Sequence, residues 1–223
     1  MRNVVFIADF YVNTIRGGGE IVNDILISGL RSRGYTVVEL TSSEATLDKI
    51  SQHRDDFFII ANFVMLDKQV INELQNFDYI IFEHDHKYLK TRDPSRFANY
   101  LAPPSQIINR EFYKKAISVV CQSKIHAKVV RENLNLSNVI NIGCSMWSDS
   151  ELATIKKHSS AAKNGKCAVL NSQNRIKGTP EAIHFCETQK LEYELIGSQD
   201  YESFGYMALE AMCCKIPVVV SDV

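Results

Sequence analysis

The chain has 223 residues, enough for one large domain or two ordinary ones. Its 25 Lys and Arg balance 26 Asp and Glu to a formal net charge of -1, which leaves no basic footprint for nucleic acid or an anionic membrane face. The 45% hydrophobic content is that of a soluble globular protein, and no apolar run approaches the roughly 20 residues that span a bilayer.

Residues 1–8 form too short an apolar run for a signal peptide and meet Asp9. None of the six cysteines forms a CxxC pair, and most sit in apolar runs as small buried hydrophobes do. A reducing, cytoplasmic location is the expectation.

Residues 3–9 read as a first buried strand. Gly17, Gly18, Gly19 and Glu20 open a helix with Ile21, Val22, Ile25, Leu26 and Leu30 on one face, and Gly34 closes it. Strands follow at 35–40, 57–61 and 79–82, the last two separated by a helix carrying Val70, Ile71 and Leu74. Residues 106–115 read as a helix, 117–121 as a strand, 125–134 as a helix and 139–142 as a strand. Strand and helix in alternation imply right-handed crossovers and a parallel sheet covered on both faces, a doubly wound, Rossmann-like domain.

The polar stretch 148–166 breaks this rhythm and suits a surface linker or a short exposed helix. Alternation resumes with a strand at 167–170, a helix at 179–189 and a strand at 193–196, then a helix through Met212 and a strand at 218–220. The expected organisation is an N-terminal domain over 1–150, a linker over 151–165 and a partial second Rossmann-like domain over 166–223. Its thin sheet leaves an edge that a homo-oligomer or a partner subunit would cover.

Ligands of open parallel sheets bind beyond the carboxyl ends of the strands, so the loops that follow strands carry the information. The triple glycine 17–19 allows close backbone approach ahead of a helix N-terminus, yet it is not GxGxxG, and the nicotinamide-binding fingerprint is missing. Glu83, His84, Asp85 and His86 end a strand with four titratable groups in a row, suited to general-base work or to gripping a sugar hydroxyl. His84 and His86 would share a side if the strand ran on, but no third ligand stands at a suitable spacing, so no metal is expected.

Arg175 and Lys177 lie just ahead of the helix start at Gly178, Thr179 and Pro180, a combination that cradles a diphosphate. Ser203, Phe204 and Gly205 precede another helix and would present backbone N–H groups to a phosphate. Glu202 stands in the loop ahead, while Glu210 lies more than a turn inside among Ala208, Leu209, Ala211 and Met212, where a carboxylate needs a cation or ligand hydroxyls. Two acids framing an anion site point to a ligand with both phosphates and hydroxyls.

With these residues assembled, the chain resembles the retaining glycosyltransferases of GT-B fold, in the large GT4-like group. Residues 202–210 match the E-x7-E motif of that group, and 211–222 look like its continuation, with Lys215 where a glycine is usual. Arg175 and Lys177 resemble its basic pair, and Gly17 to Gly19 its glycine-rich loop. The resemblance implies that Glu210 binds the ribose, Glu202 contacts the donor sugar, and Gly18, Gly19, Arg175, Lys177 and Ser203 to Gly205 serve donor binding. It places His84 near the transferred sugar, and assigns His84 and Glu202 to the catalytic centre.

The implied substrate is a nucleotide sugar, UDP- or GDP-linked, with no cofactor, an unidentified acceptor and retention of anomeric configuration. In the family several elements separate the segment like 193–197 from the glutamate motif, where here only 198–201 intervene, and the family continues past the position of Val223. The second domain is therefore expected to be incomplete. The alternatives are a non-catalytic or fragmentary GT-B protein that binds a nucleotide sugar or a partner subunit, and a nucleotide-sugar epimerase.

Overall fold

Short, mostly apolar runs of three to five residues build the central sheet of the computed structural model, which describes residues 3–143, 145–159, 162, 164–173 and 178–196. The chain divides after Met146 into two units. In the first, strands β1 (Val4–Ala8), β2 (Val37–Thr41), β3 (Phe57–Ile60), β4 (Tyr79–Phe82), β5 (Ser118–Cys121) and β6 (Val139–Asn141) alternate with helices α1 (Gly18–Ser32), α2 (Leu47–Gln52), α3 (Lys68–Leu74), α4 (Arg110–Lys115) and α5 (Lys124–Leu134). All six strands are parallel, in the order β2-β1-β3-β4-β5-β6.

The chain runs from β1 outward to β2 and then back across to β3, so the order reverses between β1 and β3. Ligands of open parallel sheets bind at such a reversal, beyond the carboxyl ends of the strands. Period-two alternation sorts the side chains of each strand. Val5, Ile7, Phe58, Ile60, Tyr79, Ile81, Val119 and Cys121 join one core with Val70, Leu74, Phe112 and Val130 from the helices. On the other face Val4, Ile59, Ile80 and Phe82 line an apolar cleft of about 470 Å³ with Leu26 and Leu30 of α1.

Local capping fixes the helix starts. The side chains of Thr46, Asp67 and Ser123 accept hydrogen bonds from Lys49 N, Gln69 N and His126 N at the starts of α2, α3 and α5. Helix α2 was not among the sequence expectations, because six residues are too few for a helical period to show. The expected helix 106–115 begins only at Arg110. Residues 104–106 form a 3-10 turn instead, and Ile107 bridges Leu89.

The second unit, from Trp147, contains α6 (Asp149–Ser159), β7 (Cys167–Leu170), α7 (Thr179–Thr188) and β8 (Tyr193–Ile196), with β7 and β8 parallel. Cys167, Val169, Ala182 and Cys186 form its core. Residues 149–159, expected as linker or short helix, form α6, none of whose residues is buried. Gly178 precedes α7 at φ 66, a left-handed conformation that suits glycine. Thr179 Oγ1 donates to Leu170 O at 2.7 Å and accepts from Ser172 N at 3.2 Å, tying the end of β7 to the start of α7. The expected helix through Met212 and strand 218–220 lie outside the described residues.

Candidate active site

Each inner strand of the first sheet is followed at once, or one residue later, by a polar side chain: Asp9 after β1, Asn62 after β3, Glu83 after β4 and Gln122 after β5. The strands deliver these groups to one end of the sheet, where α1 begins. Asp9 fixes the frame. Its carboxylate accepts from Ser42 Oγ at 2.6 Å, Val64 N at 2.9 Å and Met65 N at 3.0 Å, joining the ends of β1 and β2 to the loop after β3.

Above this frame lies the first turn of α1. A Cβ added to Gly19 would meet Asn62 Nδ2 at 3.5 Å and His84 Cγ at 3.7 Å, ordinary contact distances, so Gly19 keeps a small space open over those two side chains. Asn62 Nδ2 donates to Glu20 Oε1 at 3.1 Å. Of the residues singled out in the sequence, Gly19 and His84 are thus brought together, and Gly18 is buried beside them. Arg175, Lys177, Glu202, Ser203, Phe204, Gly205 and Glu210 lie outside the described residues.

His84 is buried between two amides. Its Nε2 lies 2.9 Å from Asn23 Oδ1 and its Nδ1 lies 3.4 Å from Gln122 Nε2. A carbonyl oxygen at Nε2 and an amide nitrogen at Nδ1 together select the neutral tautomer protonated on Nε2. Burial, reinforced by the Lys87 cation, drives its pKa down to about 3, so the ring is neutral at any ordinary pH. Among the described residues each amide keeps one hydrogen-bonding atom without a partner: Asn23 Nδ2, a donor, and Gln122 Oε1, an acceptor. A buried polar atom left unsatisfied costs about 1–3 kcal/mol. The cluster therefore holds one donor and one acceptor whose hydrogen-bonding capacity the neighbouring side chains leave unused.

Close to this cluster, Lys87 Nζ donates to Glu83 Oε1 at 3.0 Å, to Asp85 Oδ1, and at 3.5 Å to Asn62 Oδ1. The Tyr113 hydroxyl donates to Glu83 Oε2. Burial pushes the Glu83 carboxyl up, but Lys87 and the Tyr113 hydroxyl overrule it and hold the group well below its usual range. Burial likewise opposes the Lys87 charge, and Glu83 and Asp85 outweigh it, so the pKa is raised. This cation is fully engaged and acts as an internal strut.

The expectation that His84 and His86 share one side is not met. Strand β4 stops at Phe82, and His86 turns away in a left-handed conformation at φ 55. Its Nδ1 lies 3.0 Å from the Tyr88 hydroxyl, and its ring centroid lies 4.3 Å from that of His126. Burial lowers the pKa of His86 to about 4 and that of His126 below its ordinary value. Among the described residues no group of three or more His, Cys, Asp or Glu could hold a metal ion. Sequence reading missed Asn23, Gln122 and His126. Gln122 carried a signal, since it stands at the first position beyond a buried strand. Asn23 carried one too, four residues after Gly19 on the same helix face.

No protein-family model and no curated protein matches the chain. Solved structures do. An alpha-glucosyltransferase in complex with UDP is similar over 97% of this chain and 62% of its own, at 13% identity and a TM-score of 0.52. An alpha-glucosyltransferase in complex with UDP and a 13-mer DNA containing a HMU base is similar over 84% of this chain and 53% of its own, at 14% identity and a TM-score of 0.51. The chain thus spans between about half and three-fifths of the length of these two structures. The fold is of the GT-B type, the two-domain α/β architecture of one class of glycosyltransferases. No helix among the described residues is long and apolar enough to cross a membrane.

Proposed function

We propose that the protein is a glycosyltransferase of the GT4-like group that moves a sugar from a nucleotide-sugar donor to an acceptor with retention of configuration. The observation that carries this reading is the buried Asn23–His84–Gln122 cluster beyond the carboxyl ends of β4 and β5, which leaves one donor and one acceptor without a partner among the described residues. A sugar carries several hydroxyls, each both donor and acceptor, which suits a site with one unused donor and one unused acceptor. A phosphate offers only acceptors at this end. The GT-B fold and the UDP bound by both structural neighbours support a nucleotide sugar as the substrate class.

In this reading Arg175, Lys177, Ser203, Phe204, Gly205 and Glu210 bind a UDP- or GDP-linked donor, and Glu202 contacts its sugar. Metal and cofactor are not required, because cations and helix N-termini stabilise the leaving diphosphate. His84, neutral and engaged at both ring nitrogens, orients the Asn23 and Gln122 amides toward the sugar hydroxyls and takes no part in proton transfer. Gly18 and Gly19 give the sugar room beside it.

The test is calorimetric titration with UDP, GDP, ADP and their glucose conjugates. Saturable binding of one nucleotide and its conjugate, abolished in Glu210→Ala, is the expected result. Asn23→Ala is expected to weaken the conjugate by about 2- to 10-fold while leaving the free nucleotide unchanged, since it removes one hydrogen bond to the sugar. If no nucleotide binds, or if Asn23→Ala affects nucleotide and conjugate alike, the assignment fails.

A further inference from the structure

A second cleft, of about 220 Å³, opens between the loop that follows β3 and the segment that follows β4. Its volume is below that of pockets for drug-sized ligands, so it suits a small group rather than a length of polymer. Phe63, Leu66, Ile71, Leu89 and Ile108 give it an apolar wall. Lys68, Lys90 and Arg92 also line it, and no carboxylate does.

The cations divide into engaged and free. Lys87, a further lining residue, is locked to Glu83 and Asp85, and Arg92 Nη1 lies 3.1 Å from Asp85 Oδ2. The ion pairs of the described residues include neither Lys68 nor Lys90, and both side chains are exposed. At the mouth stands the exposed Val64, with exposed Met65 next to it in sequence.

The cleft is also built to hold its shape. Ile108 N donates to Tyr88 O at 2.7 Å, Asn109 Nδ2 donates to Lys87 O at 3.1 Å, and Leu89 bridges Ile107. Five residues of this segment, His86, Arg92, Asn99, Tyr100 and Asn109, are non-glycine residues in the left-handed region. Such conformations cost about 1–3 kcal/mol each and persist where the surrounding structure fixes the backbone.

We propose that this cleft binds a phosphate ester, with the phosphate held by Lys68 and Lys90 beside Arg92 and the organic part lying on the apolar wall. Two free cations match a dianion better than a single carboxylate, and the apolar wall separates an ester from inorganic phosphate. That the ester is the sugar acceptor rests on the glycosyltransferase reading. The anion site itself rests on the cleft alone.

The experiment titrates the full chain with glycerol 3-phosphate, phenyl phosphate, phenol and inorganic phosphate, and sediments it with phosphatidylcholine vesicles with and without phosphatidic acid. Both lysines are exposed, so the Lys68→Glu/Lys90→Glu variant is expected to fold. A phosphate ester, soluble or in vesicles, is expected to bind more tightly than phenol and inorganic phosphate, and to weaken at least about tenfold in the variant. A response to the soluble esters assigns a soluble ligand. A response confined to phosphatidic acid assigns a lipid.

Binding of no ester, or binding undiminished in the variant, overturns the proposal. UDP-glucose titrated in parallel separates the two readings. If no nucleotide sugar binds while an ester binds and is lost in the variant, the anion site stands and the glycosyltransferase assignment falls.

Discussion

Lys87 Nζ lies 3.0 Å from Glu83 Oε1, and neither side chain reaches water. Removing one member of such a pair leaves an uncompensated buried charge, which costs about 3–5 kcal/mol. Lys87→Met is therefore expected to destabilise the protein by about that amount in urea unfolding. Glu83→Gln/Lys87→Met together is expected to recover most of the loss, because no unpaired charge remains and the Tyr113 hydroxyl keeps an acceptor. A single variant within about 1 kcal/mol of the parent would show that water reaches the pair in solution. The pH window follows from the two directions. Glu83 is lowered from 4.5, so its contribution is present above 4.5 and lost as pH falls further. Lys87 is raised from 10.5, so its contribution is present below 10.5 and lost above the folded value. Between those limits the pair contributes a constant amount.

His84 sets a different slope. Its pKa falls from 6.5 to about 3 on folding, so between those values the unfolded chain binds the proton and the folded chain does not. Stability then rises with pH across that interval, by up to about 1.4 kcal/mol per pH unit for one such group. His86, lowered to about 4, adds to the same slope. His84→Gln keeps a hydrogen-bonding side chain between Asn23 and Gln122 without a titratable ring. Unfolding free energies measured from pH 7 to pH 4.5 are expected to show a slope shallower by about 1 kcal/mol per unit in this variant. An unchanged slope would mean that the folded protein accepts a proton at position 84.

These two residues also show how far the sequence could be read. The first sheet was legible because β1, β3 and β4 are short, wholly apolar runs. Val4–Ala8 and Phe57–Ile60 can be little else when each is followed by turn residues and a helical period. Since a strand end points at the ligand side of a parallel sheet, His84 could be singled out before any geometry was known. Its protonation state could not. That depends on Asn23, which is 61 residues away in sequence, and on burial that no local pattern encodes. The path of residues 83–109 was hidden for a related reason. It turns at non-glycine residues in left-handed conformations, held by contacts distant in sequence.

Thr179 joins the end of β7 to the start of α7 through hydrogen bonds at 2.7 and 3.2 Å. Thr179→Val has nearly the same shape and loses both. The Leu170 carbonyl and the Ser172 amide then need other partners, at an expected cost of about 1–2 kcal/mol in unfolding. Under the proposed function, the donor-binding Arg175 and Lys177 lie only a few residues beyond Ser172 in sequence. The variant is therefore also expected to weaken nucleotide binding, read by calorimetry, more than its stability change alone would. Unaltered nucleotide affinity would detach this anchor from the donor site.

Gly19 separates room for a ligand from room for the fold. A methyl group there would touch Asn62 Nδ2 and His84 at 3.5–3.8 Å, so Gly19→Ala meets no clash inside the protein. Alanine is also the better helix former, by up to about 1 kcal/mol. Thermal unfolding of Gly19→Ala is therefore expected to match or exceed that of the parent. The same methyl group fills the space over the Asn23–His84–Gln122 cluster, where the proposed sugar lies. UDP-glucose affinity is expected to fall while that of free UDP holds, a combination that a purely structural glycine cannot produce. A variant that is less stable, with nucleotide and conjugate affected equally, would return Gly19 to the role of a helix start and remove it from the site.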